Sequence, residues 1–250
     1  MRDLVLVGSA WSSSLTRSLS EMLRARAYSS SDVRGPEVEG TEVLLVLPLR
    51  GQLESSLNEM ISVAERILGR ARRMVLAVPY VGIRASGRLL QYLAGALDLV
   101  GADHLIVADP APEIVASLRT PMVAISAYPE IAKWFSGKAA VRSVAAPPRL
   151  ENRAEAFAGL VGADLRVMPT DSPGDWGELG GSVLFWDTVR NCGELEALGV
   201  LGADYYVVPH VECGEPLRGI QDRVVASDSV DNPYSKVTLA GALAEVVLSL

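Results

Sequence analysis

One short stretch, residues 183–199 with the sequence VLFWDTVRNCGELEALG, has the pattern of a phosphate-binding turn. A hydrophobic strand runs into Asp187, a short polar loop follows, and a helix begins. Such a turn can hold a phosphate on its main-chain N–H groups and a metal ion on its acid. This loop has one acid, one glycine at Gly193 and the bulky Arg190, although close approach of a phosphate favours several glycines. The stretch therefore allows three interpretations: a working site, a degenerate site or an ordinary turn.

Other residues with chemical potential are few. The two cysteines, Cys192 and Cys213, form neither a disulfide framework nor a zinc-binding pattern, and each is predicted to be a small buried or loop thiol. No serine, histidine and acid follow the pattern of a nucleophilic hydrolase. The sequence thus directs attention to the 183–199 turn.

Composition limits the classes of partner. The chain has 250 residues, is 49% hydrophobic and carries a formal net charge of −7, which argues against nucleic acid as the main partner. The apolar stretch VTLAGALAEVVLSL at the end is interrupted by Glu245 and is too short to cross a bilayer. The charged start of the chain is unlike a signal peptide. We therefore expect a cytoplasmic protein with no membrane partner.

Short apolar runs alternate with helical patterns along the chain. Because most of these runs are continuously apolar, they favour parallel sheets covered by helices on both faces, an α/β fold. The predicted strands are 3–8, 42–48, 73–79, 104–109, 121–126, 142–147, 165–169, 182–187, 205–209 and 223–228. The predicted helices are 12–26, 54–69, 87–100, 111–118, 150–161, 191–201 and 236–249.

A recurring phrase marks junctions between elements. VGAD occurs at 100–103 and 161–164, and LGAD occurs at 201–204, each before an apolar strand. Glycine at such a place is typical of the residue that ends a helix in the left-handed conformation. The segments beginning at the first and third phrases are predicted to occupy matching places in two similar halves. We predict domains at 1–138 and 139–250, with the last helix packing on the first domain.

The order of segments resembles the ribose-phosphate pyrophosphokinases, also called phosphoribosyl diphosphate synthetases, over nearly the whole chain. The likeness lies in LNEMISVAERILGRARRMVLAVPYVGIRA (57–85), LVGADHLIVADPAPEIV (99–115), VLFWDTVRNCG (183–193), LGADYYVVPHVECGEP (201–216) and VASDSVDNPYSKVTLAGALAEVV (225–247). The resemblance is to a divergent, archaeal-type member with degenerate active-site motifs. It implies two phosphoribosyltransferase-type domains, each a mostly parallel sheet flanked by helices. It also implies ATP, Mg²⁺ and ribose 5-phosphate as ancestral ligands.

The same resemblance assigns site residues. It implies that the substrate is bound by Asp187, Gly193 and Arg149, the nucleotide by Arg84 and Arg88, and the metal by Asp109, while His210 and Arg190 are catalytic remnants. His210 also fits a buried, hydrogen-bonded histidine near a strand end.

Each site motif departs from the family pattern. The second acid of the sugar-phosphate loop is replaced by Thr188, and Glu194 takes the place of its second glycine. The metal histidine is missing beside Asp109, where Pro110 follows directly. The segment 168–182, in the place of the basic catalytic loop, has three acids and no basic residue. Acids facing a polyphosphate would raise the barrier to its transfer.

These departures favour a catalytically inactive homologue that acts as a structural or regulatory partner. It would form a homo-oligomer or a hetero-oligomer with an active synthetase. One alternative is an active, divergent ribose-phosphate pyrophosphokinase that transfers pyrophosphate from ATP to ribose 5-phosphate with Mg²⁺. A second alternative is a sensor of a nucleotide such as ATP or AMP, or of a sugar phosphate. The 168–182 segment is expected to be disordered or packed away.

Overall fold

The computed structural model describes residues 3–51, 53–82, 87–138 and 140–250. The strands of this part of the chain are β1 (Leu4–Gly8), β2 (Arg26–Ser29), β3 (Glu42–Val46), β4 (Arg73–Val78), β5 (His104–Ala108), β6 (Met122–Ile125), β7 (Ser143–Ala146), β8 (Asp164–Val167), β9 (Val183–Phe185), β10 (Thr188–Val189), β11 (Tyr205–Val207), β12 (His210–Val211), β13 (Val224–Ser227) and β14 (Ser235–Val237). Its α-helices are α1 (Ser13–Leu23), α2 (Gly35–Val38), α3 (Leu53–Ile67), α4 (Gly87–Leu99), α5 (Pro112–Ser117), α6 (Tyr128–Ser136), α7 (Glu151–Val161), α8 (Cys192–Gly199) and α9 (Ala240–Ser249).

Two six-stranded sheets organise the chain, and they share one topology. The first has the order β2-β1-β3-β4-β5-β6 and the second the order β14-β13-β11-β9-β7-β8. Numbered within its own half and read from β8, the second sheet has the same order as the first. Every strand pairing within both sheets is parallel. The structure thus confirms an α/β fold of two mostly parallel sheets flanked by helices.

The two halves share one strand order, but VGAD at 100–103 and LGAD at 201–204 do not lie at matching places in it. β5, which follows Gly101, is the fifth strand of its half, whereas β11, which follows Gly202, is the fourth. The glycine itself behaves as predicted at each junction, because Gly101, Gly162 and Gly202 all have positive φ, between 68° and 74°. The phrase therefore reports a way of ending a helix rather than a position in the repeat.

The chain separates into two compact units that differ from a simple division into halves. The first unit is Met1–Ser126 with Leu239–Leu250, and the second is Ala127–Thr238. The sequence-based boundary lay instead between 138 and 139. Helix α6 therefore belongs to the second unit, where it packs on α7, and α9 belongs to the first, where it packs on α1. In each unit the helix that follows the sixth strand of one half packs on the first helix of the other half.

Each predicted strand and helix corresponds to an element of the structure, with ends that differ by a few residues. The last predicted helix starts four residues too early, because 235–237 form β14 and the helix begins only at Ala240. The prediction missed β2, an edge strand with the polar sequence RAYS and no buried residue. It also missed α6, although Tyr128, Ile131 and Phe135 are buried at helical spacing.

Apolar side chains fill both units. In the first, the strands pack against α3 and α4 through Leu45, Leu76, Met60 and Leu93, all at most 2% exposed. In the second, a separate cluster surrounds β9 and β11 and includes Trp176 and Trp186. Among the described residues, no helix combines the length and apolarity needed to cross a membrane.

Candidate functional site

The 183–199 turn lies at the carboxyl end of β9, inside the second unit. Asp187 follows β9 after Trp186, and β10 then pairs in parallel with β12, so that Thr188 lies opposite His210. Helix α8 begins at Cys192. The carboxyl ends of parallel strands are where α/β proteins usually bind ligands. The structure therefore brings Asp187, Arg190, Gly193 and His210 into one region.

Asp187 is occupied by partners from its own unit. Its Oδ2 lies 2.5 Å from Nη1 of Arg153, and its Oδ1 accepts a hydrogen bond from the Tyr128 hydroxyl at 3.1 Å. The ion pair is partly shielded, because the two side chains are 31% and 18% exposed. Tyr128 is itself held by an edge-on contact with Phe185, at 5.4 Å between ring centroids. Both oxygens of the carboxylate that resemblance assigns to the substrate thus contact protein groups.

The main-chain N–H groups of the turn are also used internally. Asn191 caps α8 by accepting a hydrogen bond from the Glu194 N–H at 2.9 Å. Glu194 in turn accepts a hydrogen bond from the Arg190 N–H on its Oε2, also at 2.9 Å. This is the arrangement of an ordinary helix start, in which side chains satisfy the first N–H donors. The turn therefore offers two fewer donors to a phosphate.

Gly193 is the second residue of α8 and has no positive φ. A Cβ built there would lie 3.3 Å from Oδ1 of Asn191, a tight contact with a side chain of the same turn. Glycine at this position therefore leaves room for the side chain of Asn191, which caps the helix. It does not serve to adopt a left-handed backbone conformation.

Arg190 differs from the other cations of the site because part of its guanidinium has no partner. Its Nε and Nη2 atoms are buried and make no hydrogen bond with any residue that the structure describes. Burying an unpaired charged group is costly, so such a group usually meets a counter-ion or water.

The prediction of two separate thiols is wrong. Cys192 and Cys213 form a disulfide bond with a sulfur–sulfur distance of 2.05 Å, which links the start of α8 to the segment after β12. The two cysteines are 21 positions apart in the sequence, and the pairing of β10 with β12 brings the segments that carry them side by side. Cys213 is 1% exposed, and the Tyr234 hydroxyl lies 3.6 Å from its sulfur. Burial raises the pKa of this tyrosine above its ordinary value.

His210 is enclosed at the first position of β12. Its side chain is 4% exposed, and its Nδ1 lies 2.9 Å from the hydroxyl oxygen of Ser229. Ser229 is fully buried. This geometry is that of a buried, hydrogen-bonded histidine near a strand end, one of the two interpretations of the sequence.

Arg149 faces an acidic loop rather than open space. Its N–H donates to Oδ1 of Asp171 at 3.1 Å, and its guanidinium Nη1 lies 4.0 Å from the same oxygen. The guanidinium carbon also stacks 4.4 Å from the ring centroid of Trp186. Arg149 and Arg153, which follow β7 one turn apart, are thus both paired with acids of the second unit.

The 168–182 segment is packed rather than disordered, in agreement with one of the two expected states. Trp176 is 8% exposed and lies 6.2 Å from Trp186 between ring centroids, and its Nε1 donates to the Thr170 carbonyl. Leu179 is 1% exposed, and its N–H donates to the Leu201 carbonyl at 2.7 Å. The segment is therefore fastened to the structure around α8.

The remaining predicted residues belong to the first unit. Asp109 follows β5 with a φ of 46°, and its N–H donates to the Ile125 carbonyl at 2.9 Å. Arg88 is an exposed residue at the start of α4. Arg84 lies outside the described residues. In the described part of the chain, His, Cys, Asp and Glu form no group of three or more that could hold a metal ion.

Sequence reasoning missed Tyr128 and the specific role of Arg153. Nothing in the order of residues connects Arg153 with Asp187, 34 positions away. Tyr128 is the first residue of a helix that was not predicted. The helical spacing of apolar residues in α6 is the sequence signal that could have located Tyr128.

Comparisons with known proteins find similarity in structure alone. No sequence profile of a protein family matches the chain, and no curated protein sequence does either. The structure is similar to the crystal structure of phosphoribosylpyrophosphate synthetase from Mycobacterium smegmatis, with a TM-score of 0.72 and 16% identity. The similarity covers 99% of this chain and 98% of that one. At this identity it establishes that the chain has the two-domain fold of that synthetase.

Proposed function

We propose that the chain is a catalytically inactive homologue of the ribose-phosphate pyrophosphokinases that serves as a structural or regulatory partner in an oligomer. The observation that carries this proposal is the pairing of Asp187 with Arg153 and Tyr128. A carboxylate that binds a sugar hydroxyl or a metal ion must present its oxygens to the ligand. Here both oxygens already have partners, one of them an opposite charge.

Transfer of a pyrophosphoryl group also needs positive charge around the migrating phosphates. Arg149 and Arg153 of the second unit are each paired with an acid of the same unit. The 168–182 segment adds Asp171, Asp175 and Glu178, and it is held in place by Trp176. These features would oppose the binding of a polyphosphate.

The described residues also fit Mg²⁺ poorly. Mg²⁺ in phosphoryl-transfer sites is held by carboxylate oxygens together with substrate phosphates. Asp187 is committed to Arg153, and the described acids make no cluster of three. We therefore assign no step to a metal ion in this chain.

A release assay for AMP tests the proposal. Purified protein is mixed with ATP, Mg²⁺ and ribose 5-phosphate, with an active synthetase as positive control and Asp187→Ala as matched variant. We expect no AMP above the protein-free background from either form. Turnover by the wild-type protein that is lost in Asp187→Ala would contradict the proposal.

The role as a partner needs a second test. Helix α4 carries Tyr92 and Leu99, which are 76% and 83% exposed, and exposed apolar groups of this kind favour association. Light scattering after size-exclusion chromatography, with and without an active synthetase, measures the assemblies that form. We expect either a homo-oligomer or a mixed assembly, which Tyr92→Asp with Leu99→Asp would weaken. A monomer in both conditions would contradict this role.

A further inference from the structure

Lysine is rare in this chain, and its few copies occur around one tryptophan of the second unit. Only three of the 23 lysine and arginine residues are lysines. Lys133 precedes Trp134 in the chain, and the Nζ atoms of Lys138 and Lys236 lie 4.4 Å and 5.5 Å from the centroid of the Trp134 ring. Arginine stays charged in proteins, whereas the amine of lysine can lose its proton and act as a nucleophile. The place where lysine replaces arginine is therefore a place to look for amine chemistry.

This lysine cluster, made of Lys133, Lys138 and Lys236 around Trp134, lies apart from the turn that contains Asp187. The Trp134 ring meets the ring of Tyr205 edge-on, at 5.8 Å between centroids. Tyr205 is the first residue of β11, which runs parallel to β9, whereas Asp187 follows the carboxyl end of β9. The cluster therefore lies toward the amino ends of these strands, at the opposite edge of the sheet from the turn.

Lys236 has an environment that favours the neutral amine. It is partly buried in β14, and its Nζ donates a hydrogen bond to the main-chain carbonyl of Asp222. Lys133 forms an ion pair with Glu130, at 2.7 Å between Nζ and Oε1, but Lys236 forms none with any residue that the structure describes. Burial lowers the pKa of Lys236 from its ordinary value of 10.5, the charge of Asp222 opposes this shift, and the charge of Lys138 adds to it.

The two amines beside Trp134 differ in a way that suits two roles. Lys138 is exposed and places a positive charge near Lys236, where it can attract an anionic reagent. Lys236 is less exposed, and a lysine that is desolvated or lies next to another cation is an activated nucleophile. The ring between them is held by edge-on contacts with Phe135 and Tyr205, so this arrangement exists before any reagent arrives.

We infer that Lys236 is a modification site, whose amine accepts an acyl group from a small acyl phosphate or an acyl thioester. The neutral Nζ attacks the carbonyl carbon of the donor and forms a carbon–nitrogen bond. The bond from this carbon to the phosphate oxygen or the thioester sulfur breaks, and the leaving group departs with the electron pair. Nζ then gives one proton to solvent. The product is an uncharged amide that keeps one N–H for the carbonyl of Asp222.

This modification would remove a cation from the face of the second unit that carries Trp134, because acylation of lysine abolishes its charge and its cation–π contact. It goes beyond the proposed inactive role, since it needs neither ATP nor ribose 5-phosphate. Arginine at position 236 could keep the contact with the ring but could not accept the acyl group.

Site-resolved acetylation of the full chain tests the inference. The purified protein is treated at pH 8 with a limited amount of acetyl phosphate or of S-acetyl-N-acetylcysteamine, an uncharged thioester. Peptide mass spectrometry then measures the acetylated fraction of each lysine with time. Lys133 and Lys138 are internal controls in the same molecules. The same reaction in concentrated urea is the matched control, because the unfolded chain has no lysine cluster.

We expect Lys236 in the folded protein to be acetylated about tenfold faster than Lys133, because a larger fraction of its amine is neutral. This preference should disappear in urea. Lys138→Gln should slow the reaction at Lys236, because it removes the neighbouring cation. The donor that reacts faster at Lys236 in the wild-type protein identifies the source of the acyl group.

Two results would overturn the inference. One is acetylation of Lys133 or Lys138 at least as fast as that of Lys236 in the folded protein. The other is a preference for Lys236 that persists unchanged in urea, which would place its cause in the local sequence. Both are measured on the wild-type chain, so they do not depend on the folding of a variant. The readout is an acetyl group on a specific lysine, so it is also separate from the AMP assay.

Discussion

Arg153 and Asp187 form a partly buried ion pair, with Nη1 2.5 Å from Oδ2, at the position where the resemblance to a synthetase predicts a substrate-binding carboxylate. The arginine lies in the first turn of α7 and the aspartate two residues after β9, so the pair links these two parts of the second unit. The Tyr128 hydroxyl adds a third group on the other oxygen. Both carboxylate oxygens of Asp187 thus have partners within the second unit.

The first prediction concerns this pair. Arg153→Ala should lower the free energy of unfolding by about 2 kcal/mol, between the values typical of exposed and fully buried pairs. The reason is that it leaves a largely buried carboxylate without its counter-charge. Urea unfolding measures the change. Tyr128→Phe, which removes one hydrogen bond, should cost only about 1 kcal/mol.

A double-mutant cycle with Asp187→Ala isolates the coupling between the two side chains. Arg153→Ala should still release no AMP from ATP and ribose 5-phosphate, because the acidic 168–182 segment is unchanged. Additive effects in the cycle would show that the two residues do not interact. Ribose 5-phosphate-dependent AMP release by Arg153→Ala would show that the pair alone had silenced an active site.

Strands that are buried can be predicted from the sequence, whereas an exposed edge strand cannot. Strands such as β3 and β4 are covered on both faces, and their continuous apolar sequences are visible in the chain. The edge strand β2 has no buried residue, so its sequence carries no such signal. The left-handed glycines at 101, 162 and 202 were predictable because a local conformation selects glycine.

The site was less predictable because its pairings are tertiary. Arg153 and Asp187 are 34 positions apart, and Asp187 had several arginines as equally reasonable neighbours in the sequence. The disulfide bond likewise depends on two-residue strands, β10 and β12, that are too short to give a sequence pattern. Residue types indicate that the motif is altered, whereas only the folded structure shows which groups contact its residues.

The second prediction concerns the disulfide bond of Cys192 and Cys213. Replacing both by serine should lower the free energy of unfolding by about 3 kcal/mol, because a closed loop of this length restricts the unfolded chain. Denaturation without reductant measures the loss. Adding dithiothreitol to the wild-type protein should reduce its stability toward that of the double variant and leave the variant unchanged.

Mass spectrometry of alkylated protein gives the matched check on the bond. Protein purified without reductant should carry no alkyl group on either cysteine. Full alkylation of both in native, unreduced protein would mean that the bond does not form. Disulfide bonds persist in oxidising compartments and in intracellular proteins of hyperthermophiles. The redox state of the two cysteines in the source cell would therefore indicate the environment in which the protein works.

The third prediction concerns the attachment of the 168–182 segment. Trp176→Ala should destabilise the protein by about 3 kcal/mol, because it empties a buried site beside Trp186. It should also make this segment the first point of proteolytic cleavage. Chemical unfolding and limited proteolysis followed by mass spectrometry measure the two effects.

Trp11→Ala is the control for that experiment. Trp11 is 50% exposed and stacks with Arg50 in the first unit, so its loss should cost about 1 kcal/mol or less. Rapid amide exchange at Leu179 in the wild-type protein, whose N–H is bonded to Leu201, would contradict the packed segment. Equal proteolysis of the two variants at 168–182 would contradict it as well.

The fourth prediction concerns Asp98, a residue of α4 that fastens the turn before β6. Burial alone would raise its pKa, but hydrogen bonds from the main chain and hydroxyl of Thr120 and the main chain of Arg119 outweigh it and lower the pKa. A lowered pKa in the folded state means that the charged form stabilises the protein. This contribution is complete above the ordinary pKa of 3.8, and it is lost as the pH falls through the lower pKa of the folded state.

Asp98→Ala should therefore cost about 1–2 kcal/mol at neutral pH, the value of the hydrogen bonds that it removes. The difference in unfolding free energy between wild type and variant should shrink below pH 4, because protonation weakens the same bonds in the wild type. Asp98→Asn, which keeps one acceptor oxygen, should lie between the two and show little pH dependence of its own. A difference that stays constant from pH 7 to pH 3 would mean that the ionised carboxylate makes no contribution, and the hydrogen bonds to Thr120 would then be as strong with a neutral acid.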